Sequence, residues 1–409
     1  MVDKRPDGGE GDRVKAPSAT RSPLSPRALL PLASLSVLVG LPTALTMPFT
    51  GLFLADGVKA SPAALGAFLF ISPAAGLVAS TLLARVSDRR AVRRNLLVIG
   101  AVAGATGSAL FAVVRSYWVL LAVSVTLLAV SSSLIAQMFA YARQSLERTD
   151  SARAPLVISI LRTLISLTWV AGPPVGALLV AKTGFGGMFL AATAFYLVVA
   201  LLAVRLPELG STGSARPEQR RGGLGVQFAF AAPAFALLQG GSALGVNAMP
   251  LFITDVLGGT AGDAGLVLGL CAALEIPLML GFGVLAVKVD QHRIIVLGAV
   301  VALAYQSVML ATDAVWQIAA AQVLSAVVIS SVMGIGISYF QAMAPDRPGF
   351  ATTLYVNTIT IGIMVAGPLL GLAQQLGYRT AYLMSLVMSA LGVLLLLVSR
   401  VKQNGAGSR

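Results

Sequence analysis

Apolar and polar positions follow one another along this chain in long blocks. Between Leu29 and Val398, apolar runs of about 20 residues, the length that crosses a bilayer as a helix, recur between short polar segments. There are twelve such runs, at 28–55, 62–84, 95–114, 117–142, 154–181, 186–204, 226–254, 264–287, 294–312, 315–342, 350–376 and 380–399. This pattern predicts an all-α polytopic membrane protein with twelve transmembrane helices, the longest of them tilted, bent or extended past the hydrocarbon.

Polar segments divide the chain into two halves. Residues 1–27, with several Pro and Gly and mixed charge, predict a disordered cytoplasmic tail, and 401–409 form a second tail. The apolar run that follows residue 27 is too long for a signal peptide, so we expect a retained first helix. A polar cytoplasmic linker at 206–225 separates an N-terminal six-helix half at 28–205 from a C-terminal six-helix half at 226–400.

The two halves carry similar sequence in corresponding helices. VAGPPVG at 170–176 lies in the fifth run and VAGPLLG at 365–371 in the eleventh. In the first and seventh runs, TMPFTGLFLAD (46–56) resembles AMPLFITD (248–255). Because each half has an even number of helices, the halves run in the same direction and predict a parallel repeat about an axis along the membrane normal.

The repeated Gly-Pro turn predicts a bend at the same height in both halves. Gly allows close approach of neighbouring backbones, and Pro removes a backbone donor and bends the helix. The alternative is ordinary packing, since Gly and Pro are common in membrane helices. The predicted bend residues are Gly172, Pro173, Gly176, Gly367, Pro368 and Gly371.

Composition agrees with a membrane protein, and charge indicates its orientation. The chain is 57% hydrophobic and only 11% charged, with a mean hydropathy of +0.86, whereas soluble domains are about 25% charged. Its net charge is +13, but with both termini inside, 24 of the 29 Lys and Arg fall in cytoplasmic tails and loops. The positive-inside rule explains that imbalance as topology, so we expect no nucleic-acid partner.

The sequence lacks the motifs that are typical of soluble enzymes and ATP-driven pumps. It has no G-x-x-x-x-G-K-[ST] phosphate loop, so no ATP-driven pump is indicated. His292 is the only histidine and Cys271 the only cysteine, which excludes a histidine metal cluster and an internal disulfide. We therefore expect no enzyme activity, no cofactor and no metal.

Two charged side chains lie inside apolar runs. Arg162 is in the fifth run and Glu275 is near the middle of the eighth. A charge at this depth is costly, so each is expected to face the bundle interior and to bind substrate or couple an ion. The alternative is a buried ion pair that fixes helix packing. Glu275 is also a candidate to bind and release a proton.

Uncharged polar and aromatic side chains inside the helices form a second set of candidates. Amides and aromatic faces suit a polyhydroxylated ligand, because each sugar hydroxyl is both a donor and an acceptor. Asn357 aligns with Arg162 in the repeat, and Trp169 is a candidate to stack on a pyranose ring. The others, each of which could instead bond a neighbouring helix, are Gln137, Gln239, Asn247, Gln306, Gln341 and Tyr355.

The loop after the second run, ARVSDRRAVRRNLL at 84–97, resembles the cytoplasmic loop signature of the major facilitator superfamily. Ala84 and Ala91 stand where that signature has glycines. The resemblance implies that the matching charged residues stabilise a gate on the cytoplasmic side. These residues are Asp88, Arg89, Arg93 and Arg94.

Other stretches are similar to the bacterial sugar efflux transporter family. They include QMFAYAR (137–143), ILRTLISLTWVAGPPVG (160–176), LEIPLML (274–280) and ATTLYVNT (351–358). This resemblance implies proton-driven export of sugars or glycosides by alternating access. It also implies that the fifth and eighth helices meet between the halves, which would bring Arg162 near Glu275.

The sequence thus predicts a monomeric secondary transporter of the bacterial inner membrane, in contact with lipid, with both termini cytoplasmic and with sugar and protons as substrates. A multidrug or secondary-metabolite/proton antiporter of the same fold is the nearest alternative, since the chain has 12 Met to line an apolar cavity. A non-transporting membrane sensor is a further alternative, against which the lack of any soluble domain argues.

Overall fold

The computed structural model describes residues 26–89, 92–149, 154–208, 226–345 and 347–406. Most of the predicted tails and linker therefore lies outside the described residues, and the domain boundaries stay predictions. The first helices are α1 (Pro26–Thr46), α2 (Pro62–Arg89), α3 (Arg93–Val113) and α4, which begins at Tyr117–Val123 and resumes at Leu134–Thr149. The second half comprises α7 (Val226–Asp255), α8 (Ala261–Lys288), α9 (Gln291–Leu310), α10 (Val315–Val328, resuming at Gly334–Met343), α11 (Pro348–Leu376) and α12 (Arg379–Ala406).

One continuous helical segment, Ala154–Val204, contains two membrane spans. Within the described residues, 11 helices are long and apolar enough to cross a membrane, and one of them, Ile160–Val204, is 45 residues long. Gly184 interrupts it with φ 69° and ψ −176°, a backbone conformation that glycine adopts readily. We call the parts before and after Gly184 α5 and α6. The all-α fold with twelve membrane-spanning helices is confirmed.

Three of the membrane-spanning segments contain irregular turns. After α1, Met47–Phe49 forms a 3₁₀ turn and Phe53–Gly57 a π turn, next to Pro48, which has no N–H to donate. In α4 a π turn occupies Ser124–Leu128, and in α10 one occupies Ile329–Met333. Single π turns inside α-helices are frequent at functional sites.

The buried side chains form three clusters that define the state of the bundle. We call the end with the turns after α1, α3, α5, α7, α9 and α11 the closed end, because one apolar cluster there contains residues of both halves, such as Phe53 and Phe252. A second cluster includes Leu35 of α1 and a third includes Phe235 of α7, and each contains residues of one half only. The halves therefore pack together at the closed end and separate towards the opposite, open end.

The Gly-Pro repeats lie where the two halves touch. A Cβ added to Gly265 of α8 would lie 2.7 Å from the carbonyl oxygen of Pro173 of α5. A Cβ added to Gly66 of α2 would lie 3.0 Å from Pro368 Cα of α11. The repeat thus places α5 on α8 and α11 on α2 in equivalent contacts, and the glycines are needed because backbone approaches backbone.

Two arginines at the closed end each lie over a phenylalanine ring, one in each half. The Arg115 guanidinium lies 5.3 Å from the ring centroid of Phe53, and that of Arg379 lies 5.5 Å from Phe252. Near them, burial, together with the carboxylates of Asp255 and Asp56, raises the pKa of Tyr378 to about 12. The Tyr378 hydroxyl therefore stays protonated in the physiological pH range.

At the open end the helices of the interface diverge. In α8, a Cβ added to Gly281 or Gly283 would meet no atom within 4 Å, and Val287 is 87% exposed. In α2, Val78 and Leu82 are also exposed. The described residues therefore form a bundle that is sealed at one end and open at the other.

Candidate functional site

A cavity of about 270 Å³ lies among the helices of the first half and reaches the second half at α7 and α11. Its volume equals that of about nine molecules of liquid water at about 30 Å³ each. Hydroxyl groups from α1, α2, α3, α4 and α6 make up most of its polar lining. They belong to Thr43, Thr46, Thr50, Ser72, Ser108, Ser124, Ser131, Ser132 and Tyr196.

The α1 wall of the cavity is a stripe of threonines. Thr43, Thr46 and Thr50 are spaced three and four residues apart, which places them on one helix face. Thr46 Oγ1 donates to the carbonyl oxygen of Pro42 at 2.8 Å, and Thr50 Oγ1 donates to that of Thr46 at 2.9 Å. Since these protons are already used, both hydroxyls offer lone pairs that accept hydrogen bonds from a ligand.

The opposite wall is built around the π turn of α4. Ser124 Oγ donates to Ser72 Oγ of α2 at 2.8 Å, which leaves the Ser72 proton for another acceptor. Ser132 Oγ donates to the carbonyl oxygen of Ala129 at 2.7 Å. Ser131 Oγ is buried and has no hydrogen-bond partner among the described residues. The π turn therefore brings three serine hydroxyls of one helix to the cavity.

The cavity is polar but uncharged. Among the described residues that line it there is no Asp, Glu, Lys, Arg or His, and Phe68, Phe111 and Phe189 supply aromatic walls. In the described part of the chain, no group of three or more His, Cys, Asp and Glu could hold a metal ion. Such a lining suits a neutral ligand with many hydroxyls and an apolar face.

Of the candidate binding residues from the sequence, the cavity contains Asn247. This residue of α7 is the polar contribution of the second half to the lining, which also includes Gly367 of the α11 repeat. Asn247 Nδ2 donates to the carbonyl oxygen of Ala243 at 2.8 Å, so Oδ1 remains available as an acceptor.

Three further candidates are buried in the separate cores of the open end. Gln239 Nε2 donates to the Tyr355 hydroxyl at 3.4 Å, and that hydroxyl donates to the carbonyl oxygen of Met333 at 3.0 Å. Gln137 is buried in the first half, and its Oε1 has no partner among the described residues. None of the three lines the cavity.

Arg162 and Asn357 occupy equivalent places on α5 and α11. Both are exposed, and helical spacing puts them on the faces that carry Pro173 and Pro368. These faces meet the other half at the closed end, so both side chains point along the gap between the halves at the open end. Trp169 of α5 is partly buried and is not part of the cavity lining.

Glu275 faces the interior of its own half. Cys271 Sγ donates to Glu275 Oε1 at 3.6 Å, and Ser330 Oγ of α10 donates to the Glu275 carbonyl oxygen at 3.2 Å. The helices α5 and α8 do meet, as the resemblance implies, but the ion pairs among the described residues do not include Arg162 with Glu275.

The arginines of the loop signature hold elements of the first half together. Arg93 donates to the carbonyl oxygen of Ala140 and to Gln144 Oε1 of α4, both at 3.0 Å. Arg94 Nε lies 3.3 Å from Glu208 Oε2, just after α6. The side chains of Asp88 and Arg89 lie outside the described residues, so the predicted gate stays a prediction.

Sequence reasoning missed the hydroxyl lining. The signals were the helical spacing of Thr43, Thr46 and Thr50 and the serine run at 131–133. A hydroxyl in a membrane helix commonly bonds its own backbone, as Thr46 does. Hydroxyls are therefore weaker indicators of a binding site than amides and charged groups.

Comparison with known proteins fits this architecture. The model of the Major Facilitator Superfamily matches the chain twice, over residues 32–243 and 231–408. Sugar efflux transporter B of Salmonella typhimurium is 34% identical over 86% of this chain and 90% of its own length, and sugar efflux transporter A of Dickeya chrysanthemi is 32% identical over 92% and 96%.

Among solved structures, a bacterial homologue of the human lysosomal transporter Spinster, in an inward-facing and occupied conformation, has a TM-score of 0.74 at 13% identity. The similarity covers 91% of this chain and 96% of that one and shows a shared fold. The chain therefore belongs to the major facilitator superfamily and, within it, to the family of the bacterial sugar efflux transporters.

Proposed function

We propose that the protein exports a sugar or a sugar-like compound across the bacterial inner membrane in exchange for protons. The observation that carries this proposal is the cavity itself, which is lined by nine hydroxyl-bearing side chains and one amide. These hydroxyls and the amide supply donors and acceptors for sugar hydroxyls, while the phenylalanine rings cover the apolar face of a pyranose. The names of the relatives support the same substrate class.

Alternating access follows from the separation of the buried clusters. The excess of Lys and Arg on one side supports an orientation with both termini and the open end in the cytoplasm. Sugar would enter from that end and bind against α1 and α4. The halves would then rock, so that the α5–α8 and α2–α11 contacts separate and the cavity opens to the other side.

In this proposal Glu275 is the residue that binds and releases the proton. Its carboxyl group lies near the middle of α8 and contacts the thiol of Cys271. A carboxyl group at membrane depth that makes no ion pair is well placed to exchange a proton when its exposure changes. We propose a monomer in contact with lipid, in which Arg162 and Asn357 guide the ligand through the open gap.

A drug/proton antiporter of the same fold is the alternative. Lipophilic cations favour carboxylates and aromatic faces, and the described cavity lining offers aromatic faces but no carboxylate. The cavity therefore favours a neutral sugar, and the choice between the two substrates can be made by experiment.

The test is uptake of labelled hexoses and disaccharides into inverted membrane vesicles with and without an acid-inside gradient. We expect gradient-dependent accumulation of at least one sugar, and none in vesicles with an empty vector. If a lipophilic dye is accumulated and no sugar competes with it, the sugar proposal is wrong. Sugar accumulation that does not respond to the gradient would instead remove the proton from the proposal.

A further inference from the structure

The second half contains a row of buried polar side chains that the sugar cavity does not use. It starts at Glu275, whose Oε1 accepts from Cys271 Sγ at 3.6 Å. Cys271 Sγ lies 3.5 Å from Ser325 Oγ of α10. Cys271 and Ser325 are both buried. The row therefore leads away from the gap between the halves and into the packed interior of the second half.

Beyond Ser325 the row continues towards the closed end. The Tyr305 hydroxyl of α9 lies beside Ser325 and Gln322 of α10, and Tyr382 of α12 is near enough to Tyr305 to interact with it electrostatically. Tyr305 is near the end of α9 at Leu310, and Tyr382 near the start of α12 at Arg379. Each step along the row is thus closer to the closed end than the one before it.

Several atoms in the row have unused hydrogen-bonding capacity. Gln322 Oε1, Gln306 Oε1 and the Tyr382 hydroxyl are buried, and none has a hydrogen-bond partner among the described residues. The amide of Gln306 and the ring of Tyr382 both face Gly245 of α7. Buried polar groups in native proteins are almost always bonded to protein or to internal water. We therefore expect these three atoms to bind internal water.

The repeat shows that the fold does not require this polarity. Phe189 occupies the position of Tyr382 in the first half and contributes an aromatic wall to the sugar cavity. At this position, therefore, the repeat has a hydroxyl only in the second half. Only the second half carries a carboxyl group at the middle of a described membrane helix, at Glu275.

We propose that the hydroxyls of Tyr382, Tyr305 and Ser325 and the thiol of Cys271, with water held by the amides of Gln306 and Gln322, form a proton path between the closed end and Glu275, separate from the sugar cavity. The proposal rests on the proton antiport proposed above. A hydronium ion at the closed end gives a proton to the first hydroxyl or bound water of the row and becomes water, while that group releases its own proton to the next. The last transfer protonates the Glu275 carboxylate and leaves every relay group unchanged.

The surroundings of Glu275 are consistent with this role. Its titratable neighbours are Cys271 on its own helix and, through Cys271, Tyr305 of α9. From α10, Ser330 Oγ donates to the Glu275 carbonyl oxygen. No charged side chain of the described residues forms an ion pair with Glu275. Its proton can therefore leave towards the open end when the gap between the halves is open.

Cys271 is the weak step of the path. A thiol is a poor donor and acceptor, and its contacts of 3.5 and 3.6 Å are long. In the state described here, this step slows proton transfer between the closed end and Glu275. It thereby limits proton leak while the gap at the open end is open. A hydroxyl at the same position would be a better relay.

The test uses the full-length protein in liposomes, with Tyr305→Phe and Gln322→Leu as the variants and Tyr339→Phe as the control. Tyr339 is a buried tyrosine of the same half that bonds His292 and lies outside the row. Two rates are measured with a labelled sugar that the wild type transports. They are exchange of sugar at equal pH, which needs no net proton movement, and accumulation driven by an imposed pH gradient.

We expect both variants to keep sugar exchange and to lose gradient-driven accumulation by about tenfold or more, the scale on which positioned proton-transfer groups act. Tyr339→Phe should retain both rates. Cys271→Ser should instead admit protons without sugar, detected with a pH-sensitive dye inside the liposomes.

The outcomes separate this proposal from the one on which it rests. If the wild type shows no gradient-driven accumulation, the antiport proposal fails and the path fails with it. If the wild type responds while Tyr305→Phe and Gln322→Leu behave like the control, the path is overturned and antiport stands. Equal loss of exchange and accumulation in both variants would also overturn the path, because it would indicate a structural role.

Discussion

Gly269 of α8 lies directly against the ring of Pro174 of α5, with no space for a side chain between them. At the equivalent contact of the repeat, Gly371 of α11 lies against the carbonyl oxygen of Pro62 of α2. The two halves are therefore joined at the closed end by contacts in which a glycine meets the backbone or a proline ring of the other half. Such contacts form only when the helices reach full approach, which makes them sensitive to small additions of volume.

Gly269→Leu is expected to disfavour the state described here. Overpacking of this kind costs about 1–3 kcal/mol, and about 1.4 kcal/mol changes an equilibrium tenfold. The variant should spend more time open at the closed end and should transport sugar more slowly. Spin labels at Ser61 and Gly258, in a Cys271→Ala background, would report a longer distance across the closed end.

Gly281→Leu is the matched control on the same helix. A Cβ at Gly281 meets no atom within 4 Å in this state, so this variant should keep the short spin-label distance of the wild type across the closed end. A Gly269→Leu protein that cannot be distinguished from it would show that the close contact does not control the closed end.

Much of the fold could be predicted from the sequence, because bilayer thickness imposes a period that apolar runs reveal. The junction of α5 and α6 is an example of a break that the apolar runs predict. The runs separate at 181–186, and Gly184 with its positive φ supplies the break in an otherwise continuous helix. The contacts of the Gly-Pro repeat could also be foreseen, since glycine in a membrane helix indicates close backbone approach.

The site was harder to predict, since the sequence does not show which face of a helix meets a cavity. Asn247 was found because an amide is rare in an apolar run. Ser131 and Ser132 were not, because the π turn of Ser124–Leu128 changes the helical phase just before them. Arg162 and Glu275 lie on helices that meet, but their side chains point into different regions, which only the rotation of each helix decides.

Two tryptophans fix the depth of the closed end in the bilayer. Trp118 starts α4 and is 76% exposed, and Trp316 starts α10 and is 70% exposed. Tryptophan prefers the membrane interface, where its ring is apolar and its N–H is solvated. Proteins that retain only Trp118 or only Trp316 should be quenched more strongly by lipids brominated near the headgroup than by lipids brominated mid-chain. Preferential quenching by mid-chain bromine would place the closed end deeper.

Asn247→Leu should weaken sugar binding without changing the turnover of bound sugar. The variant keeps the volume of the side chain and removes the Oδ1 acceptor, and a lost hydrogen bond of about 0.5–1.5 kcal/mol raises KM up to about tenfold. Thr254→Val on the same helix is the control, because its hydroxyl bonds Pro250 outside the cavity. If KM for sugar is unchanged in Asn247→Leu, the cavity is not the sugar site at α7.

Glu275→Gln separates sugar movement from proton movement. Gln keeps an oxygen that accepts from Cys271 but cannot take up or release a proton, so exchange of labelled sugar at equal pH should persist and become independent of pH. Accumulation driven by a pH gradient should be lost. Asp263→Asn, which alters a carboxylate in the capping box at the start of the same helix, should retain both activities. Gradient-driven accumulation by Glu275→Gln would assign the proton to another group, and loss of exchange together with accumulation would make Glu275 a structural residue of α8.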